Sequence, residues 1–145
     1  MLFRSAKIGP GAKNAVPALV KELQQEGDNS HAVAYALGKI GPEAAAAVPA
    51  LSSLFGNANR DLALASAWAV VQIEPASAAL ATKTMPVLVA GLASSSPFAR
   101  QGAAEALGKL GSQAKDAVAS LQKALNDENK AVREAAAEAL KSIGG

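Results

Sequence analysis

The sequence predicts an all-α fold, an α-solenoid of stacked antiparallel helix pairs forming a single domain over 1–145. Three observations predict it. A short aliphatic-glycine phrase recurs: Lys7-Ile8-Gly9-Pro10, Lys39-Ile40-Gly41-Pro42, Ile73-Glu74-Pro75, Lys109-Leu110-Gly111 and Ile143-Gly144-Gly145. The steps between its anchors, Ile8, Ile40, Ile73, Leu110 and Ile143, are 32, 33, 37 and 33 residues. Self-similarity at such a period marks an array whose units bury their apolar faces on one another. An alanine-rich stretch with helical spacing leads up to each anchor, and a second apolar phrase follows it.

The units run approximately over 1–28 (partial), 29–58, 59–95, 96–127 and 128–145 (partial). The first helix of each pair lies before the anchor, over 32–40, 62–73, 99–110 and 131–143. In the last of these, Val132, Ala136, Ala139, Leu140 and Ile143 form one stripe. Polar starters precede these helices at Asn29-Ser30, Asn59 and Asp61, Ser96-Pro97, and Asp127 or Asn129. Gly9, Gly41, Gly111 and Gly144 end them, as glycine does just past a helix C-terminus.

The second helix follows the anchor. Its phrase is Ala15-Val16-Pro17-Ala18-Leu19, then Ala47-Val48-Pro49-Ala50-Leu51, weakening to Thr84-Met85-Pro86-Val87-Leu88 and Ala117-Val118-Ala119-Ser120-Leu121. Leu23, Phe55, Leu92 and Leu125 extend the stripe that faces the first helix. The prolines belong in the first turn, where a missing N–H costs little. Four extra residues lie between Ile73 and Leu88, and Glu74 replaces the turn glycine. A longer loop or an extra helical turn is expected around 75–83.

Composition narrows the function. Half of the 145 residues are apolar, but only 3% are aromatic, so the core is thin and helices must approach closely. There is no cysteine, which excludes disulfides and thiolate metal sites. Fourteen basic and twelve acidic residues leave a net charge of +2, with no run of like charge. This balance argues against a nucleic-acid partner and against a polybasic membrane patch. No apolar stretch reaches a membrane span, and the start lacks a signal-peptide core. A cytoplasmic location is expected, with no membrane contact.

No catalytic set stands out. His31 is the single histidine, placed at the start of a first helix. One histidine without cysteine does not assemble a usual zinc or di-iron site. No catalytic, cofactor-binding or metal-binding residue is assigned, no cofactor is expected, and the chain reads as a non-enzyme.

Ala36-Leu37-Gly38-Lys39-Ile40-Gly41, Ala106-Leu107-Gly108-Lys109-Leu110-Gly111 and Val132-Arg133-Glu134-Ala135-Ala136 carry a resemblance to HEAT-like repeats, nearest to the variants first noted in phycobilin lyases and common in bacterial proteins. The resemblance covers the whole chain. It implies a right-handed superhelical array and a protein-interaction or scaffold role. It also implies two alternatives, an accessory subunit of a bilin lyase-like enzyme and a nucleic-acid-binding HEAT-like protein. An arginine early in the first helix, part of a ladder usual in such arrays, is kept at Arg100 and Arg133. Ser30 and Ala63 stand in its place earlier in the chain.

Two surfaces are candidates for a protein or peptide partner. Five residues before each anchor stand Phe3, Tyr35, Trp68, Glu105 and Glu138, on the side of the first helix away from the second. Lys7 and Lys39 lie beside this column. An exposed aromatic stripe edged with lysine suits a partner protein. The other candidate is the outer face of the second helices, marked by Lys21, Ser53, Ala90 and Lys123, where small side chains admit a close-lying peptide. The chain opens within a first helix and closes just after one. That predicts a section of a longer array, or self-association through uncapped ends.

Overall fold

The computed structural model describes residues 13–25 and 27–144. Phe3, Lys7, Gly9 and the first anchor lie outside them. Among the described residues every regular element is helical: α1 (Val16–Gln24), α2 (Ser30–Ile40), α3 (Val48–Ser52), α4 (Arg60–Ile73), α5 (Ala78–Gly91), α6 (Pro97–Leu110), α7 (Val118–Ala124) and α8 (Lys130–Ile143). Two tight 3-10 segments, Gly41–Ala47 and Gly111–Ala117, link α2 to α3 and α6 to α7. The chain divides into two compact units between Glu74 and Pro75. In the first, α2 packs on α4, and α1 and α3 flank them; in the second, α6 packs on α8, flanked by α5 and α7. Within each unit a first helix lies against the next first helix, as expected for an all-α solenoid.

The first helices start where short polar side chains satisfy orphan N–H groups. The Asn59 side chain accepts from the Asp61 and Leu62 N–H groups, Ser96 from Ala99, and Asn129 from Ala131 and Val132. At α2 the expected cap is missing. Asn29 makes no capping bond; its Nδ2 instead donates to Glu22 Oε1 at 3.5 Å. Gly41 and Gly111, at φ 82° and 61°, stop α2 and α6 in a backbone region that favours glycine.

The second helices differ among themselves. Pro17 and Pro49 sit in the first turns of α1 and α3, as expected. Pro86 does not. It lies inside α5, because the four extra residues let that helix begin earlier, at Ser77, whose Oγ accepts from the Leu80 N–H at 3.2 Å. Without a turn glycine, Glu74 leaves α4 at φ −136°, and the helix restarts three residues later. The extra segment is thus helical turn rather than loop.

Leu19, Leu51, Leu88 and Leu121 are fully buried, so the leucine that closes each apolar phrase anchors its helix. The next position is less uniform. Leu23 is buried, but Leu125 is 39% exposed and Ala124 is buried in its stead. The α7 helix ends at Ala124, which turns Leu125 outward. In α8 the buried stripe is Val132, Ala135, Ala136, Ala139 and Ile143, with Leu140 only partly covered.

Alanine fills most of the contact between first helices. Ala103, Ala104, Ala106 and Ala136 have no exposed surface. At the α6–α8 crossing, a Cβ added to Gly108 would stand 2.9 Å from Ala139 Cα and 3.1 Å from its Cβ. The neighbour is backbone and has no side chain to swing away. Overpacking of this kind costs about 1–3 kcal/mol, against a helix-propensity gain of up to about 1 kcal/mol. Gly108→Ala is therefore expected to lower the thermal midpoint, with a net loss of about 1 kcal/mol. Gly56→Ala, where a new Cβ meets nothing within 4 Å, is the matched control and should not lower it.

Candidate functional site

Tyr35 on α2 and Trp68 on α4 meet as stacked rings, with centroids 4.8 Å apart and planes 10° from parallel. Both occupy the position five residues before their anchors, so the one-repeat step that brings α2 onto α4 also brings the rings together. Tyr35 is 37% exposed and Trp68 is partly exposed. Lys39, one turn along α2, holds its Nζ 5.8 Å from the Tyr35 ring centroid, within cation–π range. Gly38 makes room for this arrangement: a Cβ there would collide with Trp68 Cζ3 and stand 2.9 Å from Cε3. Tyr35, Trp68 and Lys39 thus form one patch on the first unit.

In the second unit the same positions hold Glu105 and Glu138. Above the Gly108–Ala139 crossing lies a surface groove of about 470 Å³, floored by Gly108, Ala131, Ala135 and Ala139 and edged by Gln101, Glu105, Lys109, Glu134, Glu138 and Ser142. Gln101 Nε2 donates to Glu105 Oε2 at 3.2 Å, and Lys141 pairs with Glu138 at 3.6 Å.

The candidate residues of the other surface are all exposed. Lys21 and Ser53 lie on the first unit, and Ala90 and Lys123 on the second. Ser53 Oγ donates to the Ala50 carbonyl at 2.7 Å, so it is partly engaged in its own helix. His31 is exposed in the first turn of α2. No helix among the described residues is long and apolar enough to cross a membrane.

Arg100 and Arg133 take the ladder positions. Arg100 grips Asp127 with two bonds, Nε to Oδ2 at 2.8 Å and Nη2 to Oδ1 at 3.1 Å, and its Nη1 donates to the Ser94 carbonyl. Arg133 Nη1 donates to the Asp127 and Glu128 carbonyls. Arg100 thus fastens the loop before the next first helix, and Arg133 ties the same loop from within α8. In the first unit Ser30 and Ala63 are buried at these places, and among the described residues Ser30 Oγ has no hydrogen-bond partner. The bonds from Arg100, then the Asn129 N–H, hold the Asp127 carboxyl below the ordinary carboxylate range, against the opposing effect of burial.

Two outcomes follow from these contacts. Folding lowers the Asp127 pKa, so the pair stabilises the fold above the carboxyl's unfolded pKa and ceases to as pH falls through the folded value. Melting curves at pH 7 and at about pH 3 should show a lower neutral midpoint for Asp127→Asn and a smaller drop on acidification than in the parent; an equal drop would dismiss the role given to Asp127. Trp68 is the single tryptophan, so emission reports the stack alone. Gly38→Ala should displace the ring, shifting emission to the red and raising quenching by acrylamide.

Residues 85–145 match the HEAT repeats family. No curated protein matches the sequence. The structure is similar to two engineered proteins whose crystal structures come from the Northeast Structural Genomics Consortium. One shares 26% identity at a TM-score of 0.73, over 98% of this chain and 70% of that protein. The other shares 24% identity at a TM-score of 0.75, over 99% of this chain, which spans 42% of that protein's length. Recurrent first helices crossing on glycine and alanine, the HEAT-repeat match over residues 85–145 and the fold shared with these engineered neighbours support a HEAT-like repeat architecture.

Proposed function

We propose that this chain is a non-enzymatic scaffold that holds a protein or peptide partner, with the Tyr35–Trp68–Lys39 patch as one contact surface. The stacked aromatic pair carries the reading. Aromatic rings bury much area at little conformational cost and are enriched at protein contacts. A chain with 3% aromatics has two of its five side by side, Tyr35 exposed and Trp68 partly so. Their stacking pre-organises the surface, so little ordering remains when a partner lies on it. The small exposed faces at Ser53 and Ala90, beside Lys21 and Lys123 on their respective units, are secondary contacts in this reading.

Tyr35 is the better test residue, because removing it leaves Trp68 seated on Gly38. Loss of the stack costs about 0.5–1.5 kcal/mol, well within what a folded domain tolerates. Affinity capture from the source cell with the parent chain and with Tyr35→Ala should recover a partner with the parent only. Recovery of the same partner by the variant at the same yield would remove the patch from the interface.

A further inference from the structure

The two units build the same crossing and finish it differently. In each, a glycine two residues before the anchor, Gly38 or Gly108, lets one first helix touch the next. Over Gly38 the space is filled by a flat slab, the Trp68 ring stacked on Tyr35. Over Gly108 the corresponding residues are Glu105 and Glu138, and the space is an open groove. Its floor is apolar and flat, made of Gly108, Ala135 and Ala139. Its rim carries three carboxylates, Glu105, Glu134 and Glu138, against Lys109 alone among the lining side chains. Lys141 reaches Glu138 at 3.6 Å, but both side chains are about three-quarters exposed, so the pair is readily exchanged. Glu134 has no ion-pair partner among the described residues.

We propose that this groove receives an arginine side chain from a basic segment of a partner protein. A guanidinium is a flat group with a weakly hydrated face and a charged edge. Its face and methylene stem match the alanine–glycine floor, as the indole of Trp68 matches Gly38 in the other unit. Its N–H edge matches the carboxylate rim through charge-assisted bonds. Lysine has the charge without the plane, and a neutral planar group has the plane without the charge. The proposal rests on the scaffold reading above and adds the chemistry of what is held.

The test uses the full chain, labelled with nitrogen-15, and three capped hexapeptides that are identical except for two residues: arginine, lysine or citrulline. The arginine peptide should shift the amides of 105, 134, 135 and 138, and bind at least about threefold tighter than the lysine peptide. The citrulline peptide should give no saturable shift. Glu105→Gln with Glu138→Gln should weaken arginine-peptide binding about tenfold. These positions are exposed, so an unchanged thermal midpoint verifies the fold of the variant. Equal binding of the arginine and lysine peptides, shifts shared evenly with Glu22, Glu43 and Glu74, or binding unchanged in the double variant would each overturn the proposal. If the groove fails while Tyr35-dependent capture succeeds, the groove assignment falls alone. If capture fails while the groove binds arginine, the contact patch falls instead.

Discussion

The distance between successive first helices governs much else in this protein. Gly38 and Gly108 lie where α2 meets α4 and α6 meets α8, and a single added methyl group at either would press on the neighbouring helix. Helices this close need small partners, hence the fully buried Ala34, Ala67, Ala103, Ala104 and Ala136. Small side chains yield little burial energy each, at roughly 25 cal/mol per Å² of apolar surface. Stability must come from many contacts of modest size, reinforced by leucines at the second helices and by caps at helix starts. The close crossing also sets the stage for function, because whatever stands five residues before the anchor is lifted onto the rim of the contact.

The two units answer the same geometric problem with different chemistry. The first lays an aromatic pair over its crossing and leaves Ser30 and Ala63 at the ladder positions. The second leaves its crossing open to charge and ties its loops down with Arg100 and Arg133. A bidentate arginine–carboxylate pair is directional, and it fixes the loop before α8 at a defined place. Among the described residues the first unit has no such fastening at its corresponding helix starts. Its order at α4 comes from the Asn59 cap and from the apolar contacts of Leu62 and Leu64.

Much of this was legible in the residues. A period near 33 named the helix pairs, and the limits of the first helices fell within about two residues, the usual slack at helix ends. The adjacency of Tyr35 and Trp68 was legible too, because residues one repeat apart occupy equivalent places on adjacent helices. Other features were hidden for physical reasons. Pro86 matched the first-turn prolines by phrase, but four extra residues moved the start of α5 upstream to Ser77, and only counting back from a new cap would have found it. Asn29 has the side chain of a cap, yet Glu22 draws its amide away. The groove was hidden because its floor is defined by what is missing at Gly108, Ala135 and Ala139. The recurrence of Gly38 and Gly108 at one repeat position was the available signal.

A core of this kind inverts the usual pattern of mutational tolerance. In proteins with large buried residues, trimming is the dangerous direction, since it opens cavities. Here many buried positions are already alanine or glycine, with almost nothing to trim. Growth is the dangerous direction, and it is also the commoner one, since nearly every residue is larger than alanine. Sequence drift is thus held tightest at the least conspicuous letters. The polar residues along the exposed helix faces stay free to vary, so new surfaces can be tried on the same crossings without rebuilding them.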